Sequence, residues 1–155
     1  PAPRSGGGAA AVPPAWVGST DATTCAILAA WCPETRLLWC AHFDTVPAPA
    51  AAEAIRAVIC DLMAAPQIYL VGAYSDSPKR QGPRLALQLL EWLHGMPAPM
   101  RLALCMVGAA NTDAAGAPRT RQLAVRAEDG EARPYLFGED RGPEPTRRFA
   151  AQHMR

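Results

Sequence analysis

Two short apolar runs separated by a turn restrict this chain's fold more than anything else in it. Cys25-Ala-Ile-Leu-Ala-Ala-Trp31 is apolar throughout and follows the polar stretch Gly18 to Thr24. Such a run reads as a buried strand. Cys32-Pro33-Glu34-Thr35-Arg36 reads as a turn, with Pro33 setting its φ. Leu37-Leu38-Trp39-Cys40-Ala41-His42 then reads as a second strand. Strands joined by so short a connection form a hairpin.

Downstream, prolines at 47 and 49 break the chain, and residues 50–64 carry Ala54, Ile55, Val58, Ile59 and Leu62 at helical spacing. A strand is predicted over 67–72. A second amphipathic helix is predicted over 84–94, with Leu85, Leu89, Leu90 and Leu93 along one side. Gly95 stands where a left-handed residue is favoured after a helix. A strand over 101–107, a polar loop over 111–118 and strands over 122–127 and 134–137 around the turn Glu128-Asp129-Gly130 follow. A last helix is expected from Pro145. The order β-β-α-β-α-β-β-β-α predicts an α+β fold, a mixed sheet with helices packed on it. No internal repeat is present.

Residues 1–15, rich in Pro, Gly and Ala, bury too little to order themselves and read as a disordered tail or linker. A single domain is expected over 16–155, with order beginning near Trp16. Fifteen basic and fourteen acidic residues leave a net charge of +1. That balance argues for neither nucleic acid nor an anionic membrane as a partner. No apolar run approaches the roughly 20 residues that span a bilayer, and the opening residues lack a signal-peptide pattern. The chain does not begin with Met, so it reads as processed or as part of a longer protein. The five cysteines are odd in number, widely spaced and without a C-x-x-C pair. They read as reduced thiols in an intracellular, cytoplasmic setting, with neither a disulfide framework nor a zinc site.

Gly18-Ser19-Thr20-Asp21-Ala22-Thr23-Thr24-Cys25 is the most unusual stretch. A turn of small polar residues running into a strand can present a thiol at a sheet edge, beside backbone N–H groups that would receive an oxyanion. By composition alone the plainer reading, a Thr-rich loop with a buried cysteine, is preferred. His42 lies on the strand after Cys25, and a hairpin folds it back toward the thiol. An imidazole there could take the thiol proton. By itself a lone histidine is more often structural. Asp44 lies on the same side of an extended chain as His42 and could orient it or touch a substrate. Ser75 and Asp76 follow a strand, where active-site loops often sit, with a plain turn as the equal alternative.

Gly18 through Cys25 resembles the nucleophile motif of the protein N-terminal asparagine amidohydrolases. Four further segments resemble that family in the same order. They are Ala41-His42-Phe43-Asp44, the run Tyr69 to Asp76, Leu104 to Val107 with Asn111 and Asp113 beyond, and Asp140-Arg141-Gly142-Pro143-Glu144. The family in turn resembles the chemotaxis-receptor glutamine deamidases and the cytotoxic necrotizing factor toxins, which share a Cys–His pair on a layered α/β sandwich. Ser19 stands at the position where the chemotaxis deamidases carry a hydroxyl residue.

The resemblance implies a layered sandwich with a mixed, largely antiparallel sheet. It implies deamidation of an N-terminal Asn on proteins or peptides through a Cys25 thioester, with no cofactor and no metal. Cys25 would be the nucleophile, His42 the base and Ser19 the holder of the imidazole, with Asp44 competing for that last role. Asp21, Thr24, Asp44, Ser75 and Asp76 are the candidate substrate-binding residues. The product would feed an N-degron pathway. Family members are longer than this chain, and a different segment precedes their motif. That departure predicts a domain cut short at its C-terminus. It also motivates a competing reading, a shortened and inactive relative that serves as a structural or interaction subunit of a larger complex.

Overall fold

The computed structural model describes residues 15–134. Of the tail expected over 1–15 only Ala15 lies among them; the strand residues expected from 135 and the helix expected from Pro145 lie outside. Within them the fold is α+β, with two helices and two sheets, mixed and largely antiparallel.

The predicted hairpin forms. β2 (Ala26–Trp31) and β3 (Leu38–Phe43) pair antiparallel with Ile27 opposite His42 and Ala26 opposite Phe43. β2 also pairs antiparallel with β4 (Gln67–Tyr74), and β4 pairs parallel with β5 (Arg101–Gly108). The resulting sheet runs β3-β2-β4-β5. Its parallel step needs a crossover, supplied by helix α2 (Gln81–His94). Helix α1 (Pro49–Asp61) links β3 to β4 and begins with a proline, whose fixed φ and missing N–H suit a first turn.

Both helices cover one face. Ile59 of α1 and Leu85, Ala86, Leu89 and Leu93 of α2 pack on Ala26, Leu28, Ala30, Ile68 and Leu70. The alternate residues Ile27, Ala29, Trp31, Tyr69 and Val71 point the other way and meet Leu123 and Val125. Those two belong to β6 (Leu123–Arg126), the centre of a second sheet, β1-β6-β7, with β1 (Trp16–Ser19) and β7 (Ala132–Arg133). The layers are therefore helices, four-stranded sheet and three-stranded sheet. Every residue of β2 is buried because both of its faces are covered.

Several expectations need correction. The strands form two sheets, not one, because the far face of β2 and β4 is as apolar as the near face and needs its own cover. No strand is expected over Trp16–Ser19; these four residues become one through pairing with β6, from Trp16 opposite Arg126 to Ser19 opposite Leu123. That pairing needs Gly18, since a Cβ there would sit 2.0 Å from the Leu123 carbonyl oxygen. The strand after Gly130 is Ala132–Arg133, ahead of the expected start at 134. Gly95 is right-handed, with φ −76°, so the helix end uses no left-handed residue. Helix α2 starts at Gln81, earlier than its apolar stripe suggests. The Asp76 carboxylate makes this start possible by accepting the N–H groups of Gln81 at 3.1 Å and Gly82 at 2.8 Å.

Candidate active site

One end of the space between the two sheets carries polar residues singled out in the sequence. On β3, alternation puts Leu38, Cys40 and His42 on the face toward the second sheet, where Leu38 and Cys40 pack in its core. Ser19 ends β1 across that space. Its Oγ lies 3.0 Å from His42 Nδ1. Nδ1 can accept from the hydroxyl or donate to it, according to the tautomer.

Cys25 directly precedes β2 and is half-buried. The β2–β4 ladder continues through it, because its carbonyl accepts the Ala73 N–H at 2.6 Å. Thr23 is tied to the same strand end, its carbonyl accepting from Tyr74 N–H at 3.2 Å. By strand alternation Cys25 shares the face of Ile27, the residue opposite His42.

Electrostatics link the same residues. Burial pushes the Cys25 thiol above its ordinary value, and the Asp44 charge adds to this; a hydrogen bond with the Thr24 side chain and the cysteine's own backbone oppose it. Loss of hydration lowers the His42 pKa below the ordinary imidazole value, against the pull of Asp44 and then Asp21. His42 nonetheless stays exposed as a residue, so its ring is reachable. Both shifts favour the neutral forms of the thiol and the imidazole.

The other thiols differ. All five are free cysteines. Cys40 shares the His42 face, but burial pushes it up to about 12. Burial likewise raises Cys105. Cys32 is fully buried and points its Sγ at the Ala64 carbonyl at 3.4 Å.

Asp21, Asp44 and Thr24 thus stand with Cys25 and His42. Asp21 is exposed, with a left-handed φ of 60° and a hydrogen bond from the Thr20 hydroxyl at 3.3 Å. Asp76 is directed elsewhere. It is buried, and both of its oxygens serve the start of α2. Burial alone would raise its pKa, but the Gly82 and Gln81 N–H groups hold it below the ordinary carboxylate value. Ser75 is anchored by its backbone N–H, which donates to Thr112 Oγ1 at 2.8 Å.

Sequence pattern assigns Asn111 and the turn Gly72-Ala73 no role in the site, yet the turn lies against the Cys25 carbonyl and Asn111 donates to the Gly72 carbonyl. A glycine inside an apolar strand, signalling a bulge, was the available clue. Among the described residues, no group of three His, Cys, Asp or Glu side chains could hold a metal ion. No helix among them is long and apolar enough to cross a membrane.

A half-buried thiol, an imidazole and a hydroxyl hydrogen-bonded to that imidazole are residue types that nucleophilic attack on an acyl carbon uses. On this layered α+β scaffold they fit the amidohydrolase class. The family model described as protein N-terminal asparagine amidohydrolase matches residues 8–154, and the chain belongs to that family. A comparison with curated proteins gave no match.

Proposed function

We propose that this protein hydrolyses the side-chain carboxamide of an N-terminal Asn on proteins or peptides, with Cys25 as nucleophile. The observation that carries the reading is the 3.0 Å contact between Ser19 Oγ and His42 Nδ1. It leaves Nε2 as the free nitrogen for proton transfer, in a family whose members are amidohydrolases.

In the proposed reaction His42 takes the thiol proton as Sγ bonds to the amide carbon. Backbone N–H groups next to Cys25 receive the oxyanion. The C–N bond then breaks, and His42 returns its proton to the departing ammonia. Water attacks the thioester, its proton passing through His42 to the thiolate, and the peptide leaves with an N-terminal Asp. Thr24 orients the thiol. Asp44, electrostatically coupled to both Cys25 and His42, is the first candidate partner for the substrate's α-ammonium, with Asp21 the second. Asp76, occupied with α2, drops out of that role. No cofactor or metal enters the scheme. The Asp product would be read by an N-degron pathway in an intracellular, cytoplasmic setting.

The test uses matched peptides beginning with Asn, beginning with Gln and carrying Asn internally, with ammonia release and the amide-to-acid mass change measured. Conversion of the N-terminal Asn peptide alone is expected. Folded protein that leaves this peptide unchanged overturns the activity. Turnover that survives Cys25→Ala overturns the thioester route. A folded, inactive protein that travels in a larger assembly fits the subunit reading instead.

A further inference from the structure

Among the described residues, only Asp76 and Asn111 are buried polar side chains, and both act at the C-terminal end of β4. Asp76 starts α2. Asn111, with no exposed surface, does something different. Its Nδ2 donates to the Gly72 carbonyl at 3.1 Å and to the Thr120 carbonyl at 2.9 Å, and its Oδ1 accepts from Thr120 N–H at 2.9 Å. All of its hydrogen-bonding groups are engaged with backbone, as burial demands.

The Gly72 carbonyl is available to Asn111 because β4 leaves regular pairing there. The β4–β5 register shifts between Val71 and Tyr74. Gly72 has φ +109° and Ala73 has φ 44°, a left-handed conformation that costs a non-glycine residue energy. On its other side this bulge grips the cysteine. Ala73 N–H donates to the Cys25 carbonyl at 2.6 Å. A Cβ on Gly72 would lie 2.4 Å from that same oxygen and 3.0 Å from the Ala22 Cβ. Asn111, Gly72, Ala73 and the Cys25 backbone are therefore one connected chain of contacts, with no slack at the glycine.

We propose that Asn111 is a positioning residue for Cys25, holding the Gly72–Ala73 bulge in the strained shape that fixes the cysteine backbone against β4. This rests on the reading of Cys25 as nucleophile. A reactive sulfur displaced by about 1 Å can cost on the order of 100-fold in rate, so a device that fixes its backbone has catalytic value.

Asn111→Leu removes the grip on Gly72 while filling the space. Thr112→Val is the control, since Thr112 ties the same loop to the Gly108 carbonyl at 2.7 Å and the Ser75 N–H but touches neither Gly72 nor Cys25. The expected result for Asn111→Leu is a kcat loss of roughly 10- to 100-fold, KM changed less than about threefold and slower alkylation of Cys25 by iodoacetamide. For a similar fall in Tm, Thr112→Val should keep kcat within about threefold. If Asn111→Leu does not fold, Asn111→Ala carries the same readings, since its short side chain makes no hydrogen bond to the Gly72 carbonyl. Unchanged kcat in the Asn111 variant, or an equal kcat loss in Thr112→Val, overturns the proposal. Turnover by Cys25→Ala would instead defeat the nucleophile reading on which it rests.

Discussion

The two ends of the space between the sheets are built from the same strands and finished in opposite ways. At one end Trp31 fills the gap. Its ring lies against Gly130, where a Cβ would fall 2.4 Å from the indole, and its Nε1–H donates to the Ala127 carbonyl at 2.9 Å. Tyr69 adds a second stop, its hydroxyl donating to the Gly130 carbonyl at 2.7 Å. At the other end stand Ser19 at the end of β1, Cys25 just before the start of β2 and His42 next to last in β3, with Asp21 and Asp44 in the adjoining loops. Large aromatic rings that satisfy their own polar atoms close a layer. At the other end the side chains are small and polar and keep contact with solvent: Asp21, His42 and Asp44 are exposed, and Ser19 and Cys25 half-buried.

This contrast implies that the two ends fail in different currencies. The largest effect expected is on chemistry: Cys25→Ala should lower turnover of an Asn-leading peptide by at least ~10⁴-fold, with the urea midpoint close to wild type. Next is the closed end, where Trp31→Ala should cost about 3–5 kcal/mol in urea unfolding while the folded fraction keeps its kcat. An equal kcat loss in that variant would erase the distinction between the ends. Ser19→Ala should lower kcat roughly 10- to 100-fold with little change in stability, because the imidazole loses its fixed orientation.

Asp76→Ala should cost about 1–2 kcal/mol, the range for a lost helix cap. Its folded pKa lies below the ordinary 3.8. The stability it contributes is therefore present above that value and lost as pH falls through the lower folded one, which acid unfolding of wild type and Asp76→Ala would compare.

The smallest effect is a displacement of the pH profile. With His42 depressed below 6.5, the acid limb of kcat/KM should lie below pH 6.5. With Cys25 raised above 9.0, its alkylation should still be climbing at pH 9. Turnover should instead fall near about pH 8, where an α-ammonium loses its proton. Coincident alkaline limbs would argue against recognition of that ammonium.

Local pattern made much of this molecule legible. The apolar run before Trp31, the turn at Pro33 and the run to His42 fixed a hairpin, because side-chain alternation and turn chemistry act over a few residues. The stripe through Leu85, Leu89 and Leu93 fixed α2 for the same reason. The motif from Gly18 to Cys25, with His42 and Ser19, names the candidate site through its resemblance to the amidohydrolase family, since by composition alone a Thr-rich loop with a buried cysteine is the plainer reading. What local pattern could not show depends on partners far along the chain. The tetrad Trp16–Ser19 becomes a strand only through β6, every paired residue lying more than a hundred positions away. The second sheet exists because both faces of β2 and β4 are apolar, a demand visible only once the first layer is formed. Asp76 looked like a substrate ligand until α2 folded back to offer it two N–H groups. Asn111 looked like the start of a polar loop until burial obliged each of its hydrogen-bonding groups to find a backbone partner. Sequence alone determined which residues are available for chemistry. Tertiary structure decided which of them stand together, because hydrogen-bond satisfaction and burial are properties of the assembled layers.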